Sequence, residues 1–368
     1  MTAAHERALE ALRRRGRLRS LVPRRGLDFA SNDYLGLAGS AALMDAATAA
    51  IARGVPVGAG GSRLLRGNHP EHEALEAEAA QFFGAARALF FGGGFQANSA
   101  IFSTLPARGD LVVHDALIHA SAIDGIRAGK ADHVSVPHND ADAIETAIAT
   151  WRKGGATGRP WIAVESLYSM DGDMAPLGDL ATIAARHDAM LVVDEAHATG
   201  VLGPEGRGLA AELEGRDNVI SLHTCGKALG ASGALVLSSA IVRDFMVNRS
   251  RPFIYATAPS PLVAAVVRES LVICRKEPQR RAELARRVVA FRGGSGTHIA
   301  PIVVGSDGRA TALASALGAR GFDVRAIRPP TVPEGTARLR IAITLNVGET
   351  DVANLASALV DELGRLAA

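Results

Sequence analysis

Only two cysteines, Cys225 and Cys274, occur in 368 residues, and they lie far apart. That spacing argues against a disulfide framework or a cysteine-bound zinc centre and fits a reducing compartment. Charge of one sign is scarce too. Forty Lys and Arg face 38 Asp and Glu, for a net +2, so the totals point to neither nucleic acid nor membrane as a partner. No apolar run reaches the length of a membrane span. The first residues lack the apolar core of a secretion signal. A cytoplasmic protein with no resident metal is the expectation.

What is present is ordinary in amount and uneven in placement. Hydrophobic residues make up 48% and charged residues 21%, a soluble balance. The length suits one large and one smaller domain. The start, "RALEALRRRGRLRS" (7–20), is locally basic. It reads as a solvated helix face, with a site for an acidic group as the alternative.

From about residue 70 to 240, short apolar runs alternate with helical patterns. The runs are "ALFF" (88–91), "LVVH" (111–114), "HVSV" (133–136), "WIAV" (161–164), "LVVD" (191–194), "VISL" (219–222) and "ALVL" (234–237). Between them lie amphipathic stretches such as "DADAIETAIATWR" and "LGDLATIAARHD". This predicts an α/β fold with a mostly parallel sheet covered on both faces. Later come longer helices, "PLVAAVVRESLVICRK" and "RAELARRVVAFR", then three strand-like segments and a final helix. The expected organisation is an N-terminal segment over 1–40, a large domain over 41–245 and a small α+β domain over 246–368.

Ligands gather at the carboxyl ends of strands in such sheets, and these ends are rich in reactive groups. His114, Asp115 and His119 follow one run. Glu165, Ser166 and Ser169 follow another. Asp194 and His197 close "LVVDEAH", and His223, Thr224 and Lys227 close "SLHTCGK". Singly, each has a plain structural reading: a satisfied histidine, a capping aspartate, a solvated lysine. Together at one sheet edge they suggest one pocket. A lysine at a helix start would be disfavoured by the dipole unless neutral or covalently committed. "GAGGSR" (58–63) lacks the strand and spacing of a dinucleotide loop, and "TCGKAL" lacks those of a P-loop. His69 and His72 are one residue too close for the helical zinc spacing.

Pyridoxal phosphate (PLP) unites the set. Lys227 would hold its aldehyde covalently, an aspartate would keep the pyridine nitrogen protonated, and an imidazole would cover the ring. The glycine-rich turn "FFGGGFQAN" (90–98) would present a helix start to the phosphate, with Thr224 adding a hydroxyl.

These residues carry a resemblance. "SNDYLGL" (31–37), "MDGDMAPL" (170–177), "VDEAH" (193–197) and "GKALG" (226–230) resemble the fold-type I PLP enzymes, and within them the α-oxoamine synthases. The similarity runs from residue 27 to 344. It implies the family's fold, a mostly parallel central sheet with helices on both faces and a smaller α+β C-terminal domain, and a homodimer. By resemblance Lys227 is the covalent lysine and base, Asp194 the partner of the ring nitrogen, and His119 the stacked imidazole, which also helps hold the acyl carbonyl. Ser169 and His197 resemble cofactor contacts, Gly94 and Phe95 the phosphate-side turn, and Thr224 a phosphate ligand. Arg340 resembles the arginine for the amino-acid carboxylate, a task suited to a planar guanidinium. Thr331 resembles a substrate contact. Arg19, or alternatively Arg17, resembles the arginine that meets the acyl substrate.

"IRPPTVPEGTARLR" (327–340) is similar to the member of the family that condenses L-alanine with a pimeloyl thioester, carried on coenzyme A or acyl carrier protein. The rivals are a family member using glycine or serine, an aminotransferase, and a non-catalytic cofactor-binding module. Ala198 stands where the family usually has glycine, and "GGGF" and "HTCGK" depart from its commoner forms.

Overall fold

A computed structural model describes residues 2–367. The chain forms two compact units. The larger comprises Leu35–Ser169 and Asp173–Arg281. The smaller comprises the described residues up to Tyr34, Met170–Gly172, and those from Ala282 on.

The first strand, β1 (Leu27–Asp28), belongs to the smaller unit. The larger unit holds one seven-stranded sheet of β2 (Arg87–Phe91), β3 (Leu111–Asp115), β4 (Asp132–Val136), β5 (Pro160–Glu165), β6 (Met190–Asp194), β7 (Val219–Thr224) and β8 (Ala234–Ser238). Their order across the sheet is β2-β8-β7-β6-β5-β3-β4. The five strands from β7 to β4 run parallel, and β8 is antiparallel to both neighbours. Each expected run became one strand.

The near-continuous apolar runs follow from burial on both faces. Successive residues point to opposite sides, and the core divides accordingly. Val112, Ala163, Val192 and Ile220 join one apolar cluster with Ala97, Ile101, Ala122 and Ile126 of the helices Gly94–Thr104 and Ala120–Ala128. Val113, Ile162, Val164 and Val193 join the other, with Ile144, Ile148, Leu180 and Ile183 of the helices Ala141–Lys153 and Leu177–Arg186. The edge strand β4 keeps Asp132 and His133 exposed, which discourages pairing with another chain.

The larger unit runs beyond the expected boundary at residue 245. The helix Pro261–Lys276 packs on the helices Ala41–Ala52 and Pro70–Phe83, where Ala265 meets Ala50 and Val55. The apolar side of that helix is therefore used in the larger unit, not in a C-terminal domain.

The smaller unit continues with β9 (Ile299–Gly305), β10 (Phe322–Asp323), β11 (Arg325–Ile327) and β12 (Ala337–Ala342). An antiparallel sheet runs β11-β12-β9, and β1 pairs with β10 in parallel. Gly26, just before β1, has φ +73 and abuts the Gly321 carbonyl so closely that any Cβ would collide with it. The segment before residue 35 thus belongs with residues 321–323 rather than standing alone. No helix among the described residues is long and apolar enough to cross a membrane.

Candidate active site

The parallel strands β3, β5, β6 and β7 end on one rim. There Asp194 stands in register with Glu165 on one side and Leu222 on the other. A cavity of about 180 Å³ opens at this rim in the larger unit. It is lined by Lys227, His197, Asp194, His119, Glu165, Thr224, Gly94 and Phe95, with Asn98, Ser121, Ala196 and Leu222.

Lys227 lies in a tight turn after β7, not at a helix start. The turn is closed by the Gly230 amide donating to the Lys227 carbonyl and the Ala231 amide donating to the Cys225 carbonyl. The dipole penalty weighed from sequence therefore does not arise. Lys227 Nζ lies 2.7 Å from His197 Nε2, so the amine and the imidazole share a proton-transfer contact.

Asp194 is buried and accepts from Asn98 Nδ2 at 2.7 Å and from the Ala196 amide at 2.9 Å. His119 caps the helix Ala120–Ala128 by accepting the Ser121 amide at Nδ1, and it lines the cavity. Ser121 Oγ also lies 2.7 Å from Nδ1. With Nδ1 accepting, the neutral ring carries its proton on Nε2. Burial, with Lys227 nearby, holds His119 below the ordinary histidine value, and Asp194 only partly offsets it. The ring is neutral at pH 7.

The helix Gly94–Thr104 starts with no side-chain cap, which leaves backbone N–H groups open to an anion. A Cβ on Gly94 or on Gly226 would come within 3.7 Å of Thr224 Oγ1. The two glycines and the hydroxyl therefore enclose a small cup. Neither glycine has a positive φ and a Cβ at either would make only ordinary contacts, so the fold itself does not require glycine here. Phe95 is 55% exposed at the cavity edge. Ala198 is fully buried with no left-handed backbone, so alanine is accommodated at that position without strain.

The remaining groups have other duties. Ser169 does not line the cavity; its amide donates to Glu165 Oε2 at 3.1 Å. Asp115 accepts from the Leu117 and Asn139 amides at 2.7 Å each, with His138 Nδ1 2.9 Å away. His223 is wholly buried between Thr199 Oγ1, Ser221 Oγ and the Phe83 ring. Glu195, beside Asp194 in sequence, turns away to accept Ser166 Oγ and the amides of Leu209 and Ala210. His69 and His72 form a capping box at the helix Pro70–Phe83.

Three candidate residues lie in the smaller unit. Arg340 is buried on β12 and donates to Tyr34 Oη at 3.2 Å. Arg19 donates to Thr331 Oγ1, also at 3.2 Å, so two residues selected separately from sequence meet. Arg17 is engaged by carboxylates, Asp307 at 2.6 Å and Glu334 at 2.8 Å.

Sequence reading missed Asn98, Ser121 and the lining role of Glu165. Asn98 falls one helical turn after Gly94, on the same face, and that spacing is the signal that would have found it. The donor set fits PLP. It offers an amine for an aldehyde, a carboxylate for a protonated pyridine nitrogen, a flanking imidazole, and a glycine-lined helix start for a phosphate.

The aminotransferase class I and II family model matches residues 24–359. The 8-amino-7-oxononanoate synthase of Paracidovorax citrulli (strain AAC00-1) is 41% identical over 382 residues, 96% of this chain and 92% of the relative. Among solved structures, a serine palmitoyltransferase from S. paucimobilis with bound PLP and myriocin superposes with a TM-score of 0.89 at 25% identity, over 99% of this chain and 97% of that one. The 8-amino-7-oxononanoate synthase from Francisella tularensis superposes with a TM-score of 0.78 at 27% identity, over 93% and 99%. With a fold-type I architecture and a pocket built for PLP, this chain belongs to the class I and II aminotransferase family of PLP-dependent enzymes, and within it to the 8-amino-7-oxononanoate synthases.

Proposed function

We propose that the enzyme condenses L-alanine with a pimeloyl thioester to give 8-amino-7-oxononanoate, carbon dioxide and the free thiol, as a homodimer in the cytoplasm. The observation that carries this reading is the cavity that joins Lys227, His197, Asp194 and His119, in a chain 41% identical to enzymes named for that product. The serine palmitoyltransferase has the higher structural score, but at 25% identity. Shared architecture is a weaker guide to substrate than sequence at the site.

PLP supplies an electron sink for the charge left when a bond to the amino-acid α-carbon breaks. The chain's own residues supply the rest. Lys227 would hold the cofactor and would take the α-proton at Nζ, with His197 Nε2 as its neighbour. Asp194 would pair with the ring nitrogen. Arg340 binds the alanine carboxylate, and Arg19 with Thr331 receives the far carboxylate of the pimeloyl chain. His119 presents Nε2–H to the acyl carbonyl. The new carbon–carbon bond would form as the carbon–sulfur bond breaks and the thiolate leaves to take a proton from water, the alanine carboxyl would leave as carbon dioxide, and the proton held at Lys227 Nζ would return to the α-carbon. The thioester is carried on acyl carrier protein or coenzyme A.

The test supplies the purified holoenzyme with carboxyl-labelled L-alanine and pimeloyl thioester. Labelled carbon dioxide and 8-amino-7-oxononanoate, detected by mass spectrometry, are expected. Turnover with glycine or serine but not alanine would overturn the substrate assignment.

A further inference from the structure

Two carboxylates line the cofactor cavity from the ends of adjacent strands, and the reaction described above uses only one of them. Glu165 ends β5 directly in register with Asp194 at the end of β6. Both point to the same side of the sheet, because each follows a residue, Val164 and Val193, that faces the opposite cluster. Both line the cavity and both are buried.

Their hydrogen bonding is unequal. Asp194 has a donor on each oxygen, Asn98 Nδ2 and the Ala196 amide. Glu165 has the Ser169 amide on Oε2, while its buried Oε1 has no partner in the protein. Neighbouring buried carboxylates do not both ionise readily, and the proton goes to the one with fewer donors.

We propose that Glu165 is held as a neutral carboxylic acid, with its proton on Oε1, beside the fully hydrogen-bonded Asp194. The charged and titratable groups around Glu165 favour that form on balance. Burial acts first and Asp194 second to favour the protonated form, and Asp115 adds to them. Lys227, with the Ser169 amide, opposes but does not prevail. His119, neutral at pH 7, adds no countercharge.

The consequence concerns Lys227. Its amine must be neutral to bond an aldehyde, and a second carboxylate nearby would favour the ammonium form. A protonated Glu165 removes that obstacle and turns an acceptor on the cavity wall into a donor. The inference presupposes the PLP pocket but not the alanine and pimeloyl substrates, and its tests require no turnover.

The first test is the infrared spectrum of the holoenzyme at pH 7, wild type minus Glu165→Gln. A carboxylic-acid carbonyl band present in wild type and missing in the variant is expected. A difference confined to the ionised-carboxylate region overturns the proposal. The second follows unfolding against pH at constant saturating PLP. A carboxyl whose folded value is raised must keep its proton in the folded state after the unfolded chain has released it. Wild type therefore loses stability relative to Glu165→Gln as pH rises from the ordinary carboxyl value toward the folded one, by up to about tenfold in the folding equilibrium per pH unit. A gap that stays constant from pH 5 to 8 overturns it as well.

Discussion

Asn98 shows how one neutral side chain organises a charged site. Its Nδ2 lies 2.7 Å from Asp194 Oδ2 and 3.0 Å from Ser121 Oγ, and Ser121 Oγ reaches His119 Nδ1. The amide therefore links Asp194 through Ser121 to His119, and all four residues line the proposed cofactor pocket. A hydrogen bond to a charged group contributes about 1.5–3 kcal/mol, so Asn98→Ala should weaken PLP binding roughly ten- to hundredfold. Asn98→Asp should weaken it further, because it replaces the donor facing Asp194 Oδ2 with a second acceptor. Titrating PLP into each apo variant and following its absorbance measures both. Binding in Asn98→Asp equal to wild type would remove Asn98 from this role. Sequence pointed to Lys227, Asp194, His119 and His197, which line one cavity, because lysine, aspartate and histidine after buried strands demand an explanation. It concealed Asn98 and Ser121, which act through other side chains and look like ordinary helix polar residues.

At the scale of the element, the phosphate cup depends on where a helix begins. Gly93 offers no side-chain cap to the helix Gly94–Thr104, and Gly94 faces Thr224 Oγ1 and the Leu222 side chain. A Cβ on Gly94 would meet these atoms at 3.7–3.9 Å, ordinary contact distances. The fold should accept Gly94→Ala, with stability changed by about 1 kcal/mol or less on helix-propensity grounds. The new methyl would occupy space between the helix start and Thr224, so PLP affinity should fall tenfold or more. Thermal unfolding of the apo variant and a PLP titration separate the two effects. Loss of stability without loss of affinity would mean that the phosphate lies elsewhere. The strands around this helix were legible as apolar runs of four, since burial on both faces leaves room for little else. The end of the larger unit was not. The helix Pro261–Lys276 has a helical pattern that says it is amphipathic but not which partner its apolar side meets, and that partner is the helix pair Ala41–Ala52 and Pro70–Phe83.

At the scale of the whole molecule, the larger unit shows more apolar surface than one copy needs. Ser260 Oγ donates to the Val57 carbonyl and the Ala258 amide donates to the Gly61 carbonyl, so the segments 57–61 and 258–260 run side by side. Val57 is 71% exposed, and nearby in the chain Leu65 is 84% and Tyr255 72% exposed. Large apolar side chains gathered on adjoining surface segments mark a surface that another protein covers, and in a homo-oligomer the partner is a second copy meeting the same patch across a twofold axis. The proposed homodimer would bury them. Leu65→Glu combined with Tyr255→Glu should place charges where desolvation opposes association, shifting the holoenzyme toward monomer by sedimentation at micromolar concentration. Far-ultraviolet circular dichroism should be unchanged, since neither residue packs in a core. A double variant that stays dimeric would move the interface to another surface. A monomer that keeps full turnover would show instead that one copy holds everything the reaction requires.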